Sequence, residues 1–392
     1  MMAALLSVLG APLPALDADE VEKKAAKSSL PGAPNQGPAV WTRAISGLPN
    51  DAALPVLAAL RAAELERAIK ALDLAGCPVE LALRGYTPRS RATFEVRVGR
   101  HRFAVKAYAN DPGREAALYK ALGAAGLAGV SGPRVPRLLA RNRNLHVLVI
   151  SWPEGPTAQQ LVERGKGERA GELAARWLRR AASLPVTLGP SFGAACMLHR
   201  GRKWAAALAA ADPTLGIAAT ELIGTLARNQ PKENAPRLVH GTLYARHVLD
   251  LGDDPGVIDW QRFGQGPLEL DAGMFLATVW RLGLLHQPLA IEAARAEAAF
   301  LAETTDLTDA RTLAWHRAAA LLRLAEKRTS RRQGNWLGHA QALLAEAGRL
   351  TRDSAHNRPG CTTTMYRKAS WNCRIGYHRP ERGRDLKTDK AA

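Results

Sequence analysis

Apolar and polar positions change their period several times along this chain. From Leu57 to Leu74 apolar residues recur at helical spacing (Leu57, Leu60, Leu65, Ile69, Leu72), and Gly76 is a natural stop, so a helix is predicted there. The period then drops to two. Val79–Leu83, Thr93–Val98 and Arg102–Tyr108 read as three strands, the last two joined by a turn at Gly99-Arg100. A short helix is predicted from about Gly113 to Leu122. Another strand is predicted over Leu145–Ile150. It stops at Trp152-Pro153-Glu154-Gly155, a stiff residue followed by a free one, which suits a joint between two lobes.

Helical spacing dominates from Thr157 to Arg228. A small β element, a hairpin, interrupts over Arg237–Asp259, with Gly252-Asp253-Asp254-Pro255-Gly256 as its turn. Helix returns from Glu269 to about Leu350. Residues 11–50 are rich in Pro, Gly, Ala and Ser and read as a loose leader, with order beginning near Pro55. Strands grouped first and helices second predict an α+β protein of two lobes, not a doubly wound sheet. The expected division is a leader over 1–54, a strand-rich lobe with its leading helix over 55–154, a helical lobe over 155–351 and a basic mobile tail over 352–392. No internal repeat is visible.

The 392 residues are 47% apolar and 23% charged, enough apolar surface for a large core and too much for a disordered chain. No run approaches the roughly 18 apolar residues of a membrane span. Four cysteines cannot form a disulfide scaffold in a chain of this length. Met1-Met2-Ala3-Ala4-Leu5-Leu6 is apolar but lacks the basic start of a secretory signal, so a cytoplasmic location is expected. Charge changes the picture more. Fifty-four Lys plus Arg against 36 Asp plus Glu give +18, which favours anionic partners such as nucleotides, nucleic acid or acidic lipid. An aromatic content of 5% weakens a base-stacking role.

Three places carry candidate chemistry. In Phe103-Ala104-Val105-Lys106-Ala107-Tyr108 the strand period puts Ala104 and Lys106 on one face. A small residue two before a lysine leaves room for a flat ring, with an ammonium beyond it for phosphate; a strand-end lysine snorkelling to water is the plain alternative. In the next helix Glu115, Leu118 and Leu122 share a face, so Glu115 is carried toward the sheet and Lys106 is its natural partner. The alternative for Glu115 is a first-turn acid that favours the helix dipole. Third, the apolar strand Gly256-Val257-Ile258 ends in Asp259, facing a loop that begins His240-Gly241, and a hard carboxylate there suits Mg²⁺ with phosphates.

Over roughly residues 78–345 these motifs resemble the aminoglycoside phosphotransferase and choline kinase group, which shares the protein-kinase-like fold. That family's loop reads His-Gly-Asp-Leu-His-Pro-x-Asn-(Ile/Val)-Leu, then (Ile/Val)-Ile-Asp-Trp-(Glu/Gln), then Gly-Pro-x-x-x-Asp-(Leu/Ala). Here the counterparts are His240-Gly241-Thr242-Leu243-Tyr244-Ala245-Arg246-His247-Val248-Leu249, Val257-Ile258-Asp259-Trp260-Gln261 and Gly266-Pro267-Leu268-Glu269-Leu270-Asp271-Ala272. The resemblance implies an ATP-dependent phosphotransferase acting on the hydroxyl of a small molecule, with ATP and Mg²⁺ as cofactors. It implies that Lys106 contacts the α and β phosphates, that Glu115 orients it, that Asp259 binds the metal and that Asp271 braces the His240 loop. Residues 150–154, with Ser151, Trp152 and Glu154, would offer backbone hydrogen bonds to adenine. The turn within Arg84–Thr93 would lie over the phosphates, with Gly85 its single glycine and Arg89 and Arg91 adding positive charge.

Two departures bear on activity. Thr242 stands at the family's catalytic Asp, and His247 at its second metal-binding Asn. A threonine hydroxyl does not accept a substrate proton at neutral pH, and losing a positioned base costs about 10²- to 10⁴-fold. Histidine is a poor Mg²⁺ ligand but holds Mn²⁺ or Zn²⁺. Phosphoryl transfer is mostly positioning and charge neutralisation, so slow turnover is compatible with both. The other reading is a catalytically impaired pseudokinase that binds nucleotide or a partner. The Arg- and Lys-rich segment 156–230 is unsuited to polycationic acceptors, which predicts a neutral or anionic one. A third reading, nucleic-acid or anionic-membrane binding through the basic surface and tail, is not favoured. His199-Arg200-Gly201-Arg202-Lys203-Trp204 reads as a solvated basic turn or as part of the acceptor site. Cys361, Cys373, His356 and His378 match no compact zinc spacing.

Overall fold

The structure is a computed structural model that describes residues 50–57, 79–98, 101–233, 235–330, 332 and 334–356. Contacts divide the chain into two compact units, Met1–Ser354 and Ala355–Ala392, and the fold described below is that of the first. The helix expected over Leu57–Leu74, the Gly99-Arg100 turn and most of the basic tail lie outside the described residues.

The strand-rich lobe is one antiparallel sheet in the order β1-β2-β3-β5-β4, built from β1 (Val79–Thr87), β2 (Arg91–Val98), β3 (His101–Tyr108), β4 (Leu138–Asn142) and β5 (Val147–Ser151). Alternation in β3 sorts its side chains as the sequence pattern requires. Phe103, Val105 and Ala107 enter one apolar cluster with Phe94, Val96, Val147, Val149, Leu54 and Leu57. Ala104 enters another, with Leu118, Leu122, Leu148 and Ile150. Helix α1 (Gly113–Leu122) covers that second face. Leu118 and Leu122 are fully buried, worth about 1.5–3 kcal/mol each, and their burial fixes the rotation of the helix.

One boundary and one strand differ from the sequence reading. Within the expected leader, 1–54, Asp51 and Leu54 are buried. Asp51 accepts hydrogen bonds from the Arg89 N–H (2.6 Å) and the Tyr86 hydroxyl (3.0 Å), which ties the β1–β2 turn down. Strand β4 has no counterpart in the sequence pattern, because its Leu-Leu-Ala-Arg-Asn run alternates too weakly to show a period.

The helical lobe follows with α2 (Ala158–Glu163), α3 (Gly167–Ala182), α4 (Ala194–Ala211), α5 (Pro213–Arg228), α6 (Leu268–Leu285), α7 (Ala290–Thr304), α8 (Ala310–Thr329) and α9 (Trp336–His356). Thr157 starts α2 with a capping box: its hydroxyl accepts the Gln160 N–H, and the Gln160 side chain accepts the Thr157 N–H. Helix α6 is buried along most of its length between two cores. One includes Trp177, Trp260, Phe275 and Phe300; the other includes Leu208, Leu222, Trp315 and Leu343.

The β element between α5 and α6 is two small sheets, not one hairpin. β7 (Val248–Asp250) and β8 (Pro255–Val257) form the expected hairpin, but β6 (Arg237–Val239) pairs with β9 (Gly264–Gly266). The two pairs hold the His240 loop and the Asp259 turn side by side. His199–Trp204 is not a turn; it lies within α4, where Arg200 places its guanidinium 4.6 Å over the Phe192 ring. Helix α9 runs past residue 351 into the expected tail, to His356.

Candidate active site

Lys106, on β3, is 4% exposed, and its ammonium lies 2.5 Å from Glu115 Oε1 of α1. The second carboxylate oxygen, Oε2, accepts a hydrogen bond from the Tyr108 hydroxyl at 2.6 Å. Both Glu115 oxygens are thereby occupied from one strand, at positions two residues apart. Tyr108 was not singled out in the sequence, although it shares the Lys106 face of the strand.

Across the cleft, Asp259 Oδ1 lies 3.8 Å from the Lys106 ammonium. Asp259 is not a strand end. It follows β8 in the left-handed region (φ 70, ψ 54), a conformation that is strained for a residue with a Cβ and that occurs at functional turns. Its side chain keeps 36% exposure while Lys106 and Glu115 are buried. Burial raises its carboxyl pKa, but the charges of Lys106, then His247, His240 and Arg91, outweigh this and hold it at about 2. The charge of Arg91, at the start of β2, thus acts on the same carboxylate.

The loop between β6 and β7 is braced from α6. Asp271 accepts the backbone N–H of His240 at 2.5 Å and of Gly241 at 2.9 Å. Burial pushes the Asp271 carboxyl up to about 7 against the pull of the His240, Gly241 and Leu243 N–H groups. Gly241 has φ 74, and a Cβ there would collide with the Arg262 carbonyl oxygen and the Phe192 ring, so both conformation and space demand glycine.

The two histidines of the loop have assignable tautomers. His240 Nε2 lies 2.9 Å from the Ile258 carbonyl oxygen, which can only accept, so Nε2 carries the proton. Its Nδ1 then accepts from the Thr242 hydroxyl at 3.3 Å. His247 Nδ1 faces the Thr242 carbonyl oxygen at 2.9 Å and must donate, which leaves the Nε2 lone pair 3.5 Å from Asp259 Oδ2. Burial drives both rings toward the neutral form, His240 to about 4 and His247 to about 3. His247 thus bridges the Thr242 backbone and Asp259 through its two ring nitrogens, while the Thr242 hydroxyl turns to His240 and Lys106 reaches the other oxygen of Asp259.

Asp250, the nearest other carboxylate in sequence, is bound to Arg169 at 3.0 Å and is not available to the Thr242 loop. At the joint between the lobes, the Ser151 N–H donates to the Arg137 carbonyl, and the Ser151 hydroxyl accepts the Arg137 N–H. Trp152 lies under the Arg102 guanidinium at 4.4 Å, and Glu154 pairs with Arg102 at 3.1 Å. Glu95, fully buried, gathers Arg102, Arg97 and Arg84 above this edge. Burial raises its pKa, but Arg102, Arg97 and Arg84 hold it at about 2. Gly85 sits at a bulge in the β1–β2 pairing, with nothing within 4 Å of where a Cβ would be.

Among the described residues no three His, Cys, Asp or Glu side chains cluster as a metal site, and no helix is long and apolar enough to cross a membrane. Cys196 is free and half-buried against the core of the helical lobe.

A solved structure of a thermostable mutant of aminoglycoside phosphotransferase APH(4)-Ia, in ternary complex with AMP-PNP and hygromycin B, is 14% identical with a TM-score of 0.51. It aligns with 71% of this chain and 94% of its own. A choline/ethanolamine kinase family protein from Mesorhizobium loti is 15% identical, with a TM-score of 0.47 over 73% of this chain and 94% of that one. Choline kinase from Cryptosporidium parvum is 10% identical, with a TM-score of 0.48 over 74% and 96%. Of these the APH(4)-Ia structure passes a TM-score of 0.5, and at 14% identity its likeness speaks for the fold alone. No curated protein matches the chain. The profile of the phosphotransferase enzyme family matches residues 83–307, which contain β2, β3, Glu115, the His240 loop, Asp259 and Asp271. Matched over more than half its length, the chain belongs to the phosphotransferase enzyme family.

Proposed function

We propose that this chain transfers the γ-phosphoryl group of a nucleoside triphosphate, ATP in the first instance, to a hydroxyl of a neutral or anionic small molecule, and does so slowly. The observation that carries the reading is the placement of the Lys106 ammonium 3.8 Å from Asp259, with Glu115 fixing the ammonium at 2.5 Å. Lys106 and Arg91 supply positive charge for the phosphates, and Glu115 with Tyr108 keeps the ammonium aimed. Ser151, Trp152 and Glu154 line the edge where the base would lie, and Gly85 belongs to the turn region above the phosphates.

The donor chemistry fits a divalent cation shared with phosphate oxygens. Asp259 offers a half-exposed carboxylate, and His247 turns an unprotonated ring nitrogen toward it. Such a cation, when bound with the nucleotide, neutralises charge on the phosphates. The nitrogen donor favours Mn²⁺ beside Mg²⁺. His247 is held for this by the Thr242 carbonyl, and His240 and Asp271 hold the loop.

Thr242 limits the rate. Its hydroxyl is engaged with His240, and no carboxylate of the loop replaces the missing base. The same contact supports a second reading, a nucleotide-binding protein that does not turn over. Titration of AMP-PNP with and without Mg²⁺ or Mn²⁺, on wild type and Lys106→Ala, tests binding. Mass-spectrometric detection of phosphorylated products from a library of hydroxyl compounds separates the two readings. Absence of nucleotide binding overturns both.

A further inference from the structure

Helix α8 carries two buried arginines six residues apart, with different surroundings. Arg317 is 6% exposed and forms a two-pronged pair with Glu297. Arg323 is 8% exposed, and among the described residues no carboxylate forms an ion pair with it. Its guanidinium lies 5.8 Å from the Tyr244 ring centre instead. Glu326 is near enough to attract it, but the ion pair of Glu326 is with Lys327, at 3.5 Å. Burial, together with the like charges of Arg262 and Arg200, pulls the Arg323 pKa down, against the attraction of Tyr244 and Glu326. The cations near this buried guanidinium outnumber the one carboxylate near it, Glu326, and that imbalance favours a further anion.

The cluster adjoins the reaction centre. Tyr244 is two residues from Thr242, and its ring lies 5.1 Å from that of His247. Arg246 places its guanidinium 4.2 Å over the same Tyr244 ring. Arg262 closes the short turn that begins at Asp259. Arg200 reaches in from α4 across Phe192, which lies against Gly241.

We propose that Arg323, with Arg200, Arg246 and Arg262, forms an anion subsite beside the Thr242 loop, so that the acceptor alcohol carries a phosphate or carboxylate group. The inference rests on the phosphotransferase reading and narrows its acceptor to an anionic one. Arginine forks match both anions by paired hydrogen bonds. The anion would sit on the arginines while the alcohol reaches past Tyr244 toward Asp259.

The test is calorimetric titration of inorganic phosphate into the full chain, with AMP-PNP saturating so that the nucleotide's own phosphate sites are filled. Phosphate should bind wild type, with affinity at least tenfold lower in Arg323→Gln and in Arg262→Gln, while AMP-PNP affinity is unchanged. Arg262 is exposed, so its variant stays informative if Arg323→Gln fails to fold. No phosphate binding to wild type, or equal affinity in the variants, overturns the proposal. If AMP-PNP does not bind, the phosphotransferase reading fails, and phosphate titrated without nucleotide still reads the arginines. Competition by glycerol 3-phosphate supports a soluble phosphate ester. Competition only by phosphatidylglycerol vesicles supports a lipid headgroup.

Discussion

The Lys106 ammonium lies between two carboxylates, 2.5 Å from Glu115 and 3.8 Å from Asp259, and only the second is open to solvent. The short contact holds the lysine; the longer one is beyond hydrogen-bond length, so on the proposed reading the ammonium is free to turn from Asp259 to a phosphate oxygen. Replacing Lys106 by Ala should therefore lower AMP-PNP affinity at least tenfold and also destabilise the fold. Leaving Glu115 buried without its cation costs about 3–5 kcal/mol. Calorimetry reads the first effect and denaturant titration the second. Unchanged AMP-PNP affinity in a folded Lys106→Ala protein would remove the lysine from the nucleotide site.

Thr242→Asp restores a carboxylate at the loop position that the sequence family uses as base. Product formation should rise by about 10²- to 10⁴-fold once an acceptor is in hand. The same substitution should leave AMP-PNP affinity within a few-fold, because Thr242 faces His240 and not Lys106. A wild type that is already fast, and that Thr242→Asp slows, would show that the hydroxyl itself serves the reaction.

Gly241→Ala places a methyl group against the Arg262 carbonyl and forces an L residue into φ 74. The strain is about 1–3 kcal/mol before the collision is counted. A lower melting temperature is expected, along with weaker nucleotide- and metal-dependent stabilisation, since the loop carries His247. A melting temperature equal to wild type would show that the loop relaxes freely.

Stability should depend on pH in a window set by three buried groups. His240 and His247 are neutral in the fold down to about 4 and 3, whereas in the unfolded chain they bind protons below their ordinary 6.5. Between about pH 4 and 6.5 the unfolded state thus holds up to two more protons from these rings, and stability rises with pH. Asp271 acts in the opposite sense. Its carboxyl is raised to about 7 in the fold, so it stabilises at low pH and loses that contribution as pH rises through 7. The net is about one proton, or about 1.4 kcal/mol per pH unit in that window. Denaturant midpoints measured from pH 4.5 to 6.5 should climb, and a flat or falling profile would contradict the neutral buried histidines.

Much of the site is readable in the chain because its spacing rules are local. Period two puts Lys106 on the Ala104 face of β3, and helix geometry turns Glu115 toward it with Leu118. Glycine at 241 and aspartate at 271 are visible as motif letters. What is hidden depends on side chains converging from distant segments. Tyr108 completes the Glu115 pair, yet a tyrosine at a strand end carries no signal of its own. Asp51 lies within a stretch whose Pro and Gly content reads as leader. Arg323 looks like any basic residue of an amphipathic helix until the fold buries it with no ion-paired carboxylate among the described residues. The pairing of β6 with β9 is equally silent, because three-residue strands have no measurable period.

Glu115 divides its two oxygens between Lys106 and Tyr108, and this limits how the protein can be switched. In a kinase-like scaffold, an obvious off-state rotates the helix over the sheet outward. Here such a rotation would break a buried ion pair and strip a tyrosine hydroxyl of its acceptor at once, while exposing Leu118 and Leu122 to water. The contacts of Glu115 and the burial of Leu118 and Leu122 all oppose an outward rotation of helix α1. On the proposed reading, control would then fall to whatever occupies the cleft and not to this helix.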